Sequence, residues 1–267
     1  MPVYVSVRDI MITDFPRVDK NDSIYHAVKL MEKHDLDRAV VTDAGRLAGV
    51  VTKKDIIIKL GAERRRTLSP GRMRVSGFMS INPITVEPST PIPEAASLMV
   101  EQGISGLPVV EEGRLVGLVT KWELLRAVEG DNTPLSALSV TVPIALRTTD
   151  TLLHARKMLL DNDLPMLPVM DEENRLVGTV SLDEIADVLF AFYDLVPAKY
   201  RRERIHNILV SDFMRLRPPR MPGDASLGEA AALMRGKRYR GVVIVSGELP
   251  TGLVTLNETT MYIAGRI

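Results

Sequence analysis

Four short stretches combine residue types able to hold an anion or a sugar: GVVTKKD from Gly49 to Asp55, GLVTKWE from Gly117 to Glu123, GTVSLDE from Gly178 to Glu184, and GLVTLNE from Gly252 to Glu258. Each has a glycine, two residues suited to a strand, a hydroxyl residue, and an acid three places further on. Thr or Ser followed at that spacing by an acid is a capping box, so each stretch reads as a buried strand running straight into a helix. Thr52, Thr120, Ser181 and Thr255 are the expected N-caps. A helix start carries unpaired N–H groups and the positive end of the dipole, so the same turn also suits a phosphate. A carboxylate there can accept from both hydroxyls of a ribose.

The elements that must position these turns recur with them. Val7 to Gly61, Val75 to Gly130, Leu135 to Phe190 and Val210 to Gly265 align as four repeats, each in the order strand, helix, strand, strand, helix. In the first, Ile24, Ala27, Val28 and Met31 lie at helical spacing behind Ser23, and DAGR is a hairpin turn between two strands. Ser226 and Glu229 form a further capping box in the fourth repeat. His26 and His154 read as partial caps of their helices. Residues 61–74 and 191–209 read as linkers, the first with the run Arg64 to Arg66, the second with Arg201 to Arg204; both basic runs read as solvated surface. A three-stranded unit with helices on one face needs a partner, so repeat one should pair with two and three with four, making an α/β, pseudo-symmetric disc.

Composition narrows the function. Lysine plus arginine equals aspartate plus glutamate at 34 each, which gives no global field for nucleic acid or a membrane surface. There is no cysteine, which excludes thiolate nucleophiles and cysteine-ligated metals, and the four histidines show no metal-ligand spacing. No phosphate loop of the GxxxxGK type and no histidine–carboxylate constellation is present, so an enzyme is not expected. No apolar stretch reaches spanning length, which makes the cytoplasm the expected location. The lack of cysteine, a single glutamine and abundant charge lean towards a thermophile.

With the four turns, the strands LPVV and LPVM, and the helix starts EAASLM and EAAALM, the whole chain resembles the cystathionine β-synthase (CBS) domain family, as four CBS repeats forming two Bateman modules. The resemblance implies an adenosine ligand between paired repeats, AMP, ADP or ATP, regulating an unidentified target protein, with no metal required and a homodimer open. In the family the hydroxyl residue meets phosphate and the following aspartate takes the ribose. Only Asp55 keeps the aspartate; Glu123, Glu184 and Glu258 depart from it and suit a plain cap. Arg38 and Arg240, each just before a middle strand where repeats two and three have Gly106 and Met166, resemble the phosphate-binding arginines of the γ subunit of AMP-activated protein kinase. Asp37 and Tyr239 depart from the histidine expected beside them. Lys53, Lys54 and Lys121 stand in first helical turns, where a cation opposes the dipole and suggests an anion nearby. Adenine is expected against Pro16 to Val18, Pro83 to Val86, Pro143 to Ala145 and Pro218 to Met221, and Trp122 is read as packing. An S-adenosylmethionine module, or a ligand-free structural or dimerisation protein, are the competing readings.

Overall fold

The computed structural model describes residues 5–60, 69–138, 140 and 144–267. Pro143 and the run Arg64 to Arg66 lie outside the described residues. Repeat one has β1 (Arg17–Asp19), α2 (Ile24–Lys33), β2 (Arg38–Asp43), β3 (Arg46–Thr52) and α3 (Lys53–Leu60), after a single turn of helix, α1 (Val7–Ile10). Repeat two has β4 (Ser80–Ile81), α4 (Ile92–Glu101), β5 (Gly106–Glu111), β6 (Arg114–Thr120) and α5 (Lys121–Leu124). Repeat three has β7 (Leu146–Arg147), α6 (Leu152–Asp161), β8 (Met166–Met170), β9 (Leu176–Ser181) and a long α7 (Leu182–Leu195), followed by α8 (Ala198–Arg204). Repeat four has β10 (Arg215–Leu216), β11 (Arg220–Pro222), α9 (Leu227–Lys237), β12 (Gly241–Ser246), β13 (Leu249–Thr255) and α10 (Leu256–Ile263).

The helix signals are local. Ser23 Oγ accepts from the His26 backbone N–H at 3.1 Å, and Ser226 and Glu229 bond reciprocally. Thr151 Oγ1 caps the His154 backbone N–H in the same way. Both histidines thus present a capped N–H, whereas the caps themselves are Ser23 and Thr151. Ile24, Ala27, Val28 and Met31 all turn inward.

Two kinds of contact assemble the repeats. Sheet packs on sheet within a pair: Phe15, Leu36, Val40 and Leu118 join repeats one and two, and Met166, Met170, Leu176, Val243 and Leu253 join three and four. Helix packs on helix between pairs, α3 against α7 and α10 against α4. The core of α2 and α3 is therefore continuous with that of α7, through Ile57, Leu60, Leu189 and Tyr193. Because Phe192 and Tyr193 are buried there, α7 runs past Phe190 into the span read as a linker. In that span Arg201 is only 6% exposed and donates to the Val196 and Tyr193 carbonyls, so this member of the basic run is a structural clamp.

Paired repeats also exchange their leading segments. β4, at the head of repeat two, adds to β3 of repeat one, while Ile12 exchanges two backbone hydrogen bonds with Leu118 of β6. β10 adds to β9 in the second pair, and Val140 bridges to Leu253. The exchange gives the glycine of the repeated turn its reason. A methyl on Gly49 would press into the Ser80 carbonyl, one on Gly117 would lie 2.7 Å from Met11 Sδ, and one on Gly178 3.0 Å from the Arg215 carbonyl.

Two glycine substitutions should therefore act in opposite directions. Gly49→Ala should lower the unfolding free energy by about 1–3 kcal/mol through overpacking. Gly236→Ala, at an exposed place on α9 with nothing near the added methyl, should raise it by about 0.5–1 kcal/mol. Urea unfolding of the two variants checks both signs.

Candidate ligand-binding site

The repeated turns close as capping boxes. Asp55 Oδ2 accepts from the Thr52 N–H at 2.9 Å and from Thr52 Oγ1 at 2.7 Å, and Thr52 Oγ1 accepts from the Asp55 N–H at 3.0 Å. Glu123 and Thr120, Glu184 and Ser181, and Glu258 and Thr255 repeat the arrangement, with hydroxyl-to-carboxylate distances of 2.5 Å. Aspartate and glutamate thus serve the cap equally, contrary to the expectation that Asp55 suits a cap less well. What separates them is location. Glu123 and Glu258 are each 8% exposed, and burial raises the Glu123 carboxyl above its usual range against the hydrogen bonds from Thr120.

Asp55 and Thr52 open on a cleft of about 650 Å3, within the range of small-molecule sites. Arg38, Lys53 and Arg240 line the same cleft; Thr120, Glu123, Ser181, Glu184, Thr255 and Glu258 do not. One wall is apolar, from Ile58, Ile81, Pro83 and Ile84, and Ile81 is 67% exposed there. Among the described residues of the segments expected to meet adenine, only those of the one beginning at Pro83 line the cleft. The floor is ionic, and Lys54, Lys121, Asp163 and Asn257 bring all four repeats to it.

The Asp55 Oδ1 oxygen accepts from no described group, which leaves it open to a ligand. Arg38, 2% exposed, uses Nε and Nη2 on Asp37, at 2.8 and 3.2 Å, and Nη2 also on Ser105 Oγ at 2.8 Å. Its Nη1 has no acceptor among the described residues. Gly106 leaves room for this guanidinium, since a Cβ there would collide with it.

Register corrects one equivalence. Arg38 pairs with Thr52 across the hairpin, and the residue opposite Thr255 is Gly241, so Arg38 corresponds to Gly241 and Arg240 to Asp37. The two arginines still converge, because Arg240 Nη2 reaches Asp37 Oδ2 at 2.6 Å from the far side. Arg240 also grips Asp183 through Nε and Nη2 at 2.6 and 2.9 Å. Burial works to raise the Asp37 carboxyl, but Arg38 and Arg240 outweigh it and hold it far below the usual carboxylate range. Burial likewise opposes the charge on Arg240, and Asp183 and Asp37 raise it instead.

The first-turn lysines also have internal partners. Lys53 Nζ lies 2.6 Å from Asp187, and Lys54 Nζ 2.7 Å from Asp163, both in repeat three. Their cost against the helix dipole is thus offset within the protein. Trp122, 4% exposed, packs in the core between repeats two and four with Arg238 4.4 Å above its ring.

The equivalent place in the second pair of repeats is a cleft of about 240 Å3 that includes Glu184. Here Arg215 stands where Ser80 does, since each is paired on the third strand of its sheet. Arg238 and Gly103 share a left-handed backbone, with φ of 54° and 62°. Arg215 donates to the Arg238 and Lys237 carbonyls at 3.0 and 2.7 Å and lies 4.1 Å from the Tyr239 ring centre. The Arg215 guanidinium, stacked on Tyr239, thus lines a cleft much smaller than the first.

Sequence reading missed Asp37, Asp183, Asp163, Ser105 and Asn257 as members of this assembly. Asp37 beside Arg38 was a visible signal; the others lie more than fifty residues from their partners and leave no local trace.

The CBS-domain family model matches residues 7–62, 75–130, 135–191 and 210–265. The chain belongs to the CBS-domain family, whose members are generally regulatory. The CBS domain-containing protein YhcV of Bacillus subtilis is 33% identical over 45% of this chain and 82% of its own length. The uncharacterized protein MJ1404 of Methanocaldococcus jannaschii is 23% identical over 97% of this chain, which spans 62% of that protein. The crystal structure of MJ1225 from the same organism, described as a candidate archaeal homolog of γ-AMPK, superposes with a TM-score of 0.82 at 21% identity, covering 97% of this chain and all of that one. That likeness is one of fold. Among the described residues no helix is long and apolar enough to cross a membrane, and no group of acids and histidines is arranged to hold a metal.

Lys121 gives a prediction with a definite sign. Burial, and then the nearby Arg38 charge, push its ammonium from the ordinary 10.5 down to about 8. Between those values the unfolded chain binds the proton and the folded chain does not, so stability rises with pH across that window. Lys121→Met should abolish the rise and stabilise the ligand-free protein near neutral pH by on the order of 1–2 kcal/mol. Denaturant titrations on either side of the window would expose an error if the variant kept the slope. Asp37→Ala, which leaves the buried Arg38 without a carboxylate and Arg240 with Asp183 alone, should cost about 3–5 kcal/mol in the same assay.

Proposed function

We propose that this chain is a regulatory module that binds an adenine nucleotide, AMP, ADP or ATP, in the larger cleft and signals its presence to a separate partner protein. The observation that carries the reading is Asp55. One of its oxygens is fixed by the Thr52 cap, while the other is open on a cleft with an apolar wall and a cationic floor. A ribose diol can donate to that oxygen, a base can lie against Ile81 and Ile84, and a phosphate can reach Arg38 Nη1. Thr52 fixes the Asp55 carboxylate so that the ligand need not order it.

The smaller cleft supports a stoichiometry of one. Arg215 lines it where the larger cleft has Ser80, and Asp187 replaces the apolar Ile58 at the same helical position. Signalling follows from the lining. Residues of all four repeats meet at the floor, so a ligand there has different contacts in any different arrangement of the pairs, which is the condition for shifting an equilibrium. The partner protein, and a homodimer of this chain, belong to the same reading. No catalytic step is assigned.

Isothermal titration of the whole chain with AMP, ADP, ATP and S-adenosylmethionine tests this. A nucleotide should bind with one equivalent, and Asp55→Ala should weaken it at least about tenfold, or about 1.4 kcal/mol. Asp55→Glu keeps the cap, as the other three turns do, and separates loss of the ligand contact from loss of the helix start. Glu184→Gln should leave affinity unchanged. Nucleotide binding that survives Asp55→Ala would move the site elsewhere, and binding of S-adenosylmethionine alone would reassign the ligand.

A further inference from the structure

The cations of the larger cleft are of two kinds. Arg38, Lys53, Lys54 and Arg240 each contact a carboxylate, respectively Asp37, Asp187, Asp163 and Asp183, at 2.6–2.8 Å. Lys121 does not. Its Nζ donates to the neutral Asn257 Oδ1 at 2.8 Å, and no carboxylate lies within ion-pair distance of it among the described residues. Asn257 is itself held from repeat three, where its Nδ2 donates to the Asp163 carbonyl at 3.4 Å. The open donors on the floor are therefore one ammonium and one guanidinium N–H, Arg38 Nη1.

We propose that the cleft selects a nucleoside monophosphate over the corresponding di- and triphosphate, with Lys121 as the cation that recognises the phosphate and Arg38 Nη1 as its second donor. This rests on the nucleotide reading above and specifies it. A single phosphate can take both open donors without breaking any pair in the protein. The added charge of a longer phosphate chain must instead be met by cations that already hold aspartates, and freeing them leaves those aspartates unpaired in a partly buried site. The Lys54–Asp163 pair is the most exposed of these, with side chains 43% and 76% accessible, and gives the least resistance.

The surroundings of Lys121 make its role readable. Arg38 of β2 and Lys54 of α3 face it with like charge, and Asp163 beyond α6 and Glu258 of α10 with opposite charge. Burial and Arg38 prevail, so the ammonium is only partly charged in mildly alkaline solution. A bound phosphate restores the charge. Affinity for a monophosphate should then fall as pH rises through about 8, whereas affinity for the unphosphorylated nucleoside should not.

The test is calorimetric titration of the full chain with adenosine, AMP, ADP and ATP in the absence of divalent cations. AMP should bind at least about tenfold more tightly than either adenosine or ATP. Lys121→Met should bring AMP to within about twofold of adenosine and leave adenosine unchanged. Lys121→Arg should keep the preference for AMP but lose the pH dependence, because a guanidinium stays charged throughout. ATP binding as tightly as AMP, or AMP binding indifferent to Lys121→Met, would overturn the proposal and leave the nucleotide site standing. Adenosine binding to which phosphate adds nothing would do the same. Failure of all four compounds, adenosine included, would remove the site and the proposal together.

Discussion

One carboxylate, Asp37, holds the centre of the molecule. It accepts from Arg38 of its own repeat and from Arg240 of the fourth, while Arg240 grips Asp183 of the third and Arg38 reaches Ser105 of the second. The side chains of Asp37, Arg38 and Arg240 are at most 11% accessible, so their charges are largely removed from water. Such a group adds little net stability, because the attraction mainly repays desolvation, but any arrangement that separates its members strands a buried charge. Hydrophobic surface could accept many packings of two pairs of repeats. The Asp37 group accepts one.

The peripheral architecture has the same logic in apolar form. Each repeat sheet presents residues on both faces: Ala39 and Val41 to their own helices, Val40 to the neighbouring sheet. The exchanged leading segments lock the partners, and Gly49, Gly117 and Gly178 within the third strands admit them. A repeat cannot complete its sheet alone, so pairing and folding are one event at these edges. Only after that frame is fixed can the turn residues diverge without loss of fold. Ser80 and Arg215, Gly103 and Arg238, Ile58 and Asp187 occupy equivalent places and give one larger cleft and one smaller, more polar one.

Much of this was legible in the sequence, and for identifiable reasons. Capping boxes, helical spacing and hairpin turns are signals a few residues long, and Thr52, Thr120, Ser181, Thr255 and Ser226 all cap where they were expected. The register of Arg240 was not legible, since one residue more or less before a strand looks alike in sequence but moves the residue to the next place along the strand. Nor were the partners of Lys53 and Lys54, whose aspartates lie more than a hundred residues away. Lys121 shows the limit most clearly. Its position in a first helical turn was visible, but its distinction from the other cations rests on facing Asn257 and not a carboxylate.

The two clefts share Asp37, Lys53 and Trp122, and this joins ligand to architecture. At the smaller cleft, Lys53–Asp187 and Arg240–Asp37 tie the two pairs of repeats together. In the larger cleft, Lys53 and Arg240 also line the floor that a ligand's charge would meet. A phosphate held there by Lys121 and Arg38 Nη1 would leave the Arg38–Asp37 pair in place and change the field felt by both ties. The smaller cleft thus lies at the joint of the molecule, and the larger one lies against it. With two equivalent clefts, ligand binding would load both sides of the joint alike, whereas a larger cleft beside a smaller one would convert occupancy into a difference across it.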